Sequence, residues 1–135
     1  MDSTITVLVA EDEPSLLYCY QRGLKRAGFR PIAFDNAKDL LDHAGEADVL
    51  VVDVRLPSLA GLEGIVAVGQ LQESGRLPNH VPVIFISILE KETPQCRQKL
   101  KEAKLPDDRY VWLRKPFEVE LLVRRIHDEL IRRRD

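Results

Sequence analysis

Apolar and polar positions along the 135-residue chain fall into two alternating kinds of segment. Five short runs are rich in Val, Ile, Leu and aromatic residues: ITVLVA (5–10), RPIAF (30–34), DVLVVD (48–53), VPVIFIS (81–87) and RYVWL (109–113). Three of them are nearly continuous apolar stretches, as expected of strands covered on both faces. Between them the apolar residues recur at helical spacing. Pro14, suited to a first helical turn, precedes Leu16, Leu17, Tyr20, Leu24 and Ala27, and Gly28 supplies a stop. Asn36 can cap a second helix that carries Leu40, Leu41 and Ala44 to Gly45, and Leu62, Ile65, Val66, Val68 or Gly69, and Leu71 mark a third. A polar fourth helix is expected around Thr93 to Lys104, and a fifth from Glu118 to Arg133 with Val119, Leu122, Ile126 and Leu130 on one stripe.

Strand and helix thus alternate five times, the pattern of a doubly wound α/β domain with a parallel sheet. Right-handed crossovers bring the C-terminal ends of all strands to one edge, where ligands bind in such sheets. Glu11 and Asp12 follow the first run, Asp53 ends the third, Ser87 ends the fourth and Lys115 lies just past the fifth. Three carboxylates, one hydroxyl and one ammonium therefore converge. Like charges this close resist desolvation and need water, a cation or a basic side chain as compensation.

Composition narrows the picture. With 44% hydrophobic and 31% charged residues, the chain reads as one globular domain over residues 1–135. A net charge of −2 argues against attraction to nucleic acid over the whole surface. Cys19 and Cys96 form no metal-like or disulfide pattern, the N-terminus has no basic leader, and VPVIFISIL is too short to span a bilayer. A cytoplasmic location is expected, with no membrane partner.

The ordered motifs VLVAEDEP, VLVVDVRLPSLAG, VIFIS and LRKPF make the chain, from Thr6 to the final helix, resemble the receiver domain of bacterial two-component response regulators. The resemblance implies a flavodoxin-like (βα)5 three-layer sandwich with strand order 2-1-3-4-5. It also implies that Asp53 is the phosphoacceptor, attacking the phosphorus of a donor phosphohistidine on a histidine kinase or histidine phosphotransfer protein. Phosphoryl transfer rests on positioning and charge stabilisation, a task suited to Mg²⁺ or Mn²⁺. By resemblance Asp12 and Asp53 ligate the metal directly, Glu11 acts through a water, and the Arg55 carbonyl completes the protein's share. The resemblance also implies that Lys115 pairs with the acceptor carboxylate and then with a phosphoryl oxygen, and the Lys115–Pro116 bond is expected to be cis. By the same resemblance Ser87 would donate to the phosphoryl group, and Trp112 takes the place of the aromatic switch residue three positions before the lysine. Glu13 reads only as an acid suited to a helix N-terminus.

Several features depart from the family pattern. Trp112 stands where Tyr or Phe is usual, needs a place for its indole N–H, and points to partial switching, because a full flip requires about 5.5 kcal/mol of preference for one state. Tyr110 competes for the mobile role. Ile88, where a small residue is usual, crowds the path of the phosphoryl donor, and KLPDDRYVW replaces the familiar loop before the lysine. The implied output surface is the fourth helix, fifth strand and fifth helix, which would serve a downstream effector or a homodimer. Arg124, Arg125, Arg132, Arg133 and Arg134 read as the solvated face of a helix C-terminus, and no helix-turn-helix follows, so direct nucleic-acid binding is not expected. His43, His80 and His127 read as surface or loop residues. Such a switch catalyses its own phosphorylation and slow hydrolysis without being a conventional turnover enzyme. The alternative is a receiver-like interaction module that signals without phosphate. A haloacid-type phosphohydrolase needs a second aspartate two residues after the first, where this chain has Arg55.

Overall fold

The computed structural model describes residues 4–56 and 63–134. Its elements are β1 (Thr6–Ala10), α1 (Pro14–Arg26), β2 (Arg30–Phe34), α2 (Ala37–His43), β3 (Val49–Asp53), α3 (Glu63–Glu73), β4 (Val83–Ser87), α4 (Pro94–Glu102), β5 (Val111–Arg114) and α5 (Val119–Arg133). All strands run parallel in the order β2-β1-β3-β4-β5, which is the flavodoxin-like order implied by the resemblance. The side-chain alternation of strands divides the core into two layers. Leu8, Leu50, Val52 and Phe85 pack with Leu40, Ile65, Val68 and Leu100 of α2, α3 and α4. Val7, Val9, Val51, Ile84, Ile86 and Leu113 pack with Leu24, Leu122 and Ile126 of α1 and α5.

The helix boundaries follow their local chemistry. The Glu13 carboxylate caps α1 by accepting from the Ser15 and Leu16 N–H groups, and Pro14 opens the first turn. Gly28 leaves the helix at φ +93, a conformation that costs a residue with a Cβ. Asn36 caps α2 through Asp39 N–H, and Thr93 caps α4 through Cys96 N–H. The α2 helix stops at His43, short of the expected Gly45, because Ala44–Glu46 tighten into a 3-10 turn. The start of α3 expected at Leu62, and residues 57–61 of the VLVVDVRLPSLAG motif, lie outside the described residues.

The fifth strand differs most from its expected span of 109–113. Asp107–Arg109 form a 3-10 turn and the strand runs over Val111–Arg114. Arg109 turns inward, where its guanidinium donates to the Val81 and Pro78 carbonyls at 3.0 Å each and to Gln72 Oε1 at 3.1 Å. These bonds satisfy the backbone ahead of β4, whose strand likewise starts at Val83 and not at Val81. Nor is the arginine-rich end of α5 simply a solvated face. Glu129 is buried and accepts from Arg132 and Arg133, and Arg133 also reaches the carbonyls of Asn79 and Asp108. His43 and His127 are exposed, as expected, although their rings lie against Phe34 and Phe29. Among the described residues, no helix is long and apolar enough to cross a membrane.

Candidate functional site

The C-terminal ends of β1 and β3 and the segment after β5 place Glu11, Asp53 and Lys115 together. The sheet's hydrogen bonding continues past the strands, with Glu11 N–H donating to the Phe34 carbonyl and Lys115 N–H to that of Ser87. Alternation therefore carries Glu11, Asp53 and Lys115 onto the layer of Val9, Val51 and Leu113, while Ser87 continues the layer of Phe85. Lys115 Nζ lies 2.6 Å from Glu11 Oε1 and 2.6 Å from Asp53 Oδ2. Asp12 stands exposed in the loop beside them, and Glu11, Asp12 and Asp53 each bring a carboxylate oxygen within 4.8 Å of the others.

Glu11 is 1% exposed and Asp53 4%, so both charges are taken from water. Burial, aided by the neighbouring Asp53 charge and opposed by the Lys115 hydrogen bond, pushes Glu11 up to about 7. Burial works against the Lys115 ammonium, but its hydrogen bonds to Asp53 and Glu11, with their charges, outweigh that cost and shift it upward. One ammonium thus bridges two buried carboxylates with Asp12 beside them, leaving local negative charge that a cation can relieve. Backbone groups hold the acids in place: Glu13 N–H donates to Glu11 Oε2 at 3.1 Å, and Arg55 N–H to Asp53 Oδ1 at 2.8 Å. Arg55 itself is exposed in the turn after β3.

Ser87 is fully buried, and its Oγ accepts from the Leu89 N–H at 2.9 Å. Trp112 is half-buried beside Phe85 and Tyr110, and its indole N–H donates to the Leu89 carbonyl at 3.0 Å. Tyr110 is buried, with its hydroxyl directed to Asp107. The peptide bond between Lys115 and Pro116 is cis, as expected.

Several supports of the site escape a reading of motifs. Arg114 donates to the Ile88 carbonyl and pairs with Glu90 at 2.7 Å, tying the segment after Ser87 to β5 a second time. Tyr20 stacks on Phe117, with ring centroids 5.7 Å apart, and so packs α1 against the segment that carries Lys115. Tyr20 had only its place on the apolar stripe of α1 as a signal. At Gly64 a Cβ would lie 2.0 Å from the Asp53 carbonyl oxygen, so the absence of a side chain there lets α3 approach the end of β3.

A parallel five-stranded α/β fold with an acid-and-lysine pocket at the strand ends defines a class of protein, and comparison with known proteins identifies it. The family model described as "Response regulator receiver domain" matches residues 7–127. Over 130 residues the chain is 35% identical to the transcriptional regulatory protein PcoR of Escherichia coli, covering 95% of this chain and 52% of PcoR. It is 31% identical over 139 residues to the transcriptional regulatory protein PrrA of Mycobacterium tuberculosis, covering 99% and 54% respectively. The chain spans about half the length of these relatives. The chemotaxis response regulator CheY4 of Vibrio cholerae superposes with a TM-score of 0.75 at 22% identity over 95% of this chain and all of that one. A CheY-like receiver domain from Methanospirillum hungatei superposes with a TM-score of 0.78 at 16% identity over 97% of each chain. The chain belongs to the response regulator receiver domain family, which places it in two-component signalling.

Proposed function

We propose that the chain is a phosphorylation-dependent switch that accepts a phosphoryl group on Asp53 from a histidine kinase or histidine phosphotransfer protein. The observation that carries this reading is the Lys115 bridge between Glu11 and Asp53, with Asp12 alongside. An Asp53 carboxylate oxygen attacks the phosphorus, and the phosphorus–nitrogen bond of the donor breaks with its electron pair left on the imidazole. Lys115 is placed to follow the charge, since an ammonium on a flexible stem can pass from a carboxylate oxygen to a phosphoryl oxygen.

The donor set is oxygen only, which suits Mg²⁺ or Mn²⁺. Asp12 and Asp53 would hold the ion directly, Glu11 through a water, and the Arg55 carbonyl would complete the protein's share. When bound, the ion supplies cancellation of charge between Asp53 and an anionic phosphoryl group.

Ser87 is the hydroxyl that would donate to the phosphoryl group, which requires it to turn from the Leu89 N–H. The Trp112 and Arg114 bonds hold the same segment at Leu89 and Ile88 and resist that movement, which supports partial switching at Trp112. Ile88, 56% exposed beside Ser87, narrows the donor's approach and slows both phosphorylation and hydrolysis. Output passes through α4, β5 and α5 to a downstream effector or to a second copy, in a cytoplasmic setting and without direct nucleic-acid contact by this domain.

Titration with Mg²⁺ and fluoroberyllate, followed by Trp112 fluorescence, tests the reading. Capture of the mimic by the unmodified protein and not by Asp53→Asn is the expected result. A folded wild type that stays silent overturns it in favour of an interaction module that works without phosphate.

A further inference from the structure

A second surface lies at the opposite end of the sheet. An open groove of about 540 Å³ runs between α1 and the outer side of β2, lined by Tyr18, Arg22, Lys25, Phe29, Arg30 and Pro31 among others. Phe29 and Arg30 sit at the start of β2, whereas Asp53 ends β3, so in a parallel sheet the groove and the acidic pocket occupy opposite edges.

Three cations line this groove although the chain as a whole carries a charge of −2. Arg22, Lys25 and Arg30 are all exposed, and among the described residues none of them forms an ion pair. Lys25 suits the last turn of α1, where a cation favours the helix dipole. Arg22 in the body of the helix and Arg30 on the strand have no such reason to be there. Tyr18 is 58% exposed, and the Arg22 guanidinium lies 5.7 Å from its ring centroid. Exposed Tyr and Arg flanking an apolar floor is the composition of a protein-docking surface.

The strand edge limits how a partner can sit. Arg30 N–H points into the sheet, to the Ile5 carbonyl at 2.8 Å, so the next residue, Pro31, occupies the outward position and has no N–H to offer. Addition of a further strand would lack that donor. The missing donor favours recognition through side chains.

We propose that the groove between α1 and the β2 edge docks an acidic segment of a partner protein, with carboxylates on Arg22, Lys25 and Arg30 and one apolar side chain between Tyr18 and Pro31. Charge complementarity selects this occupant over a basic or neutral one. The proposal is independent of phosphorylation at Asp53.

The test is a titration of the full chain, with labelled backbone amides, by a short Asp/Glu-rich peptide bearing one central Phe. The expected result is saturable shifts concentrated at Tyr18, Arg22, Lys25, Phe29 and Arg30, with binding weakened by salt. The double substitution R22E/R30E should weaken binding at least tenfold while thermal unfolding stays unchanged, and replacing the peptide's Phe by Ser should also weaken it. Absence of binding, shifts centred elsewhere, or equal binding by R22E/R30E overturns the proposal. Tighter binding of an oligonucleotide or a nucleoside triphosphate to the same residues also overturns it, reassigning the groove to phosphates.

Discussion

Buried charge is handled in opposite ways at the two edges of this sheet. At the N-terminal edge, Arg109 donates hydrogen bonds to two carbonyls and an amide oxygen, and Glu129 is held between Arg132 and Arg133. The partners described there all come from the chain itself. At the C-terminal edge, Lys115 divides one positive charge between Glu11 and Asp53 with Asp12 nearby. That arrangement is short of positive charge and open to what can supply it. A satisfied buried network fixes structure, whereas an incompletely compensated one marks a place for chemistry.

The contrast can be broken by substitution, beginning with the largest effect. Lys115→Ala should lower the rate of phosphoryl capture from a small-molecule donor by about a hundredfold or more, the scale of losing one charge-stabilising group, with stopped-flow Trp112 fluorescence as the measure. At the other edge, Arg109→Leu should lower unfolding free energy by about 3 kcal/mol, since it strands buried carbonyls, while fluoroberyllate capture by the folded fraction persists. Urea unfolding measures the first quantity and fluorescence the second. Equal damage to capture and stability from both substitutions would erase the distinction.

Glu129→Gln should cost less, about 1 kcal/mol at neutral pH, because Arg132 is half exposed and screened. The hydrogen bond from Arg132, together with the charges of both arginines, holds Glu129 below the usual carboxylate range despite burial. Its stabilising contribution is therefore present above the unfolded value of 4.5 and is lost as pH falls through the lower folded value.

Glu11 shifts with the opposite sign. Burial raises it from 4.5 to about 7, so the folded protein binds the proton more tightly than the unfolded chain. Its contribution is full below 4.5 and is lost as pH rises through about 7. In chelator, the stability difference between Glu11→Gln and the parent should shift in favour of the variant from pH 6 to pH 8, as read by urea midpoints. A flat difference would mean that Lys115 already neutralises Glu11.

The two edges also differ in how far their residues could be read from the sequence. Glu11, Asp12, Asp53 and Lys115 are legible because each interrupts or follows an apolar run, and parallel topology brings all such ends together. The N-terminal edge has no such rule. Arg109 reads as the first residue of a strand, and only the turn at Asp107–Arg109 aims it at carbonyls distant in sequence. Glu129 and Arg133 follow Leu122 and Ile126 at helical spacing, yet Arg133 reads from the sequence as part of a solvated face and Glu129 carries no motif. Leu130, half-buried beside them, was the more conspicuous apolar residue. Ser87 was legible as a strand end, but its bond to Leu89 and the two ties from β5 depend on packing that no spacing encodes.

Phosphorylation at Asp53 leaves an acyl phosphate that chemical trapping can locate. The full chain would be incubated with acetyl phosphate and Mg²⁺, trapped by borohydride reduction and digested for mass spectrometry. Reduction of an aspartyl phosphate confined to Asp53, and dependent on the metal, is the predicted result. Modification at another carboxylate, or none in a protein shown to be folded, would contradict it.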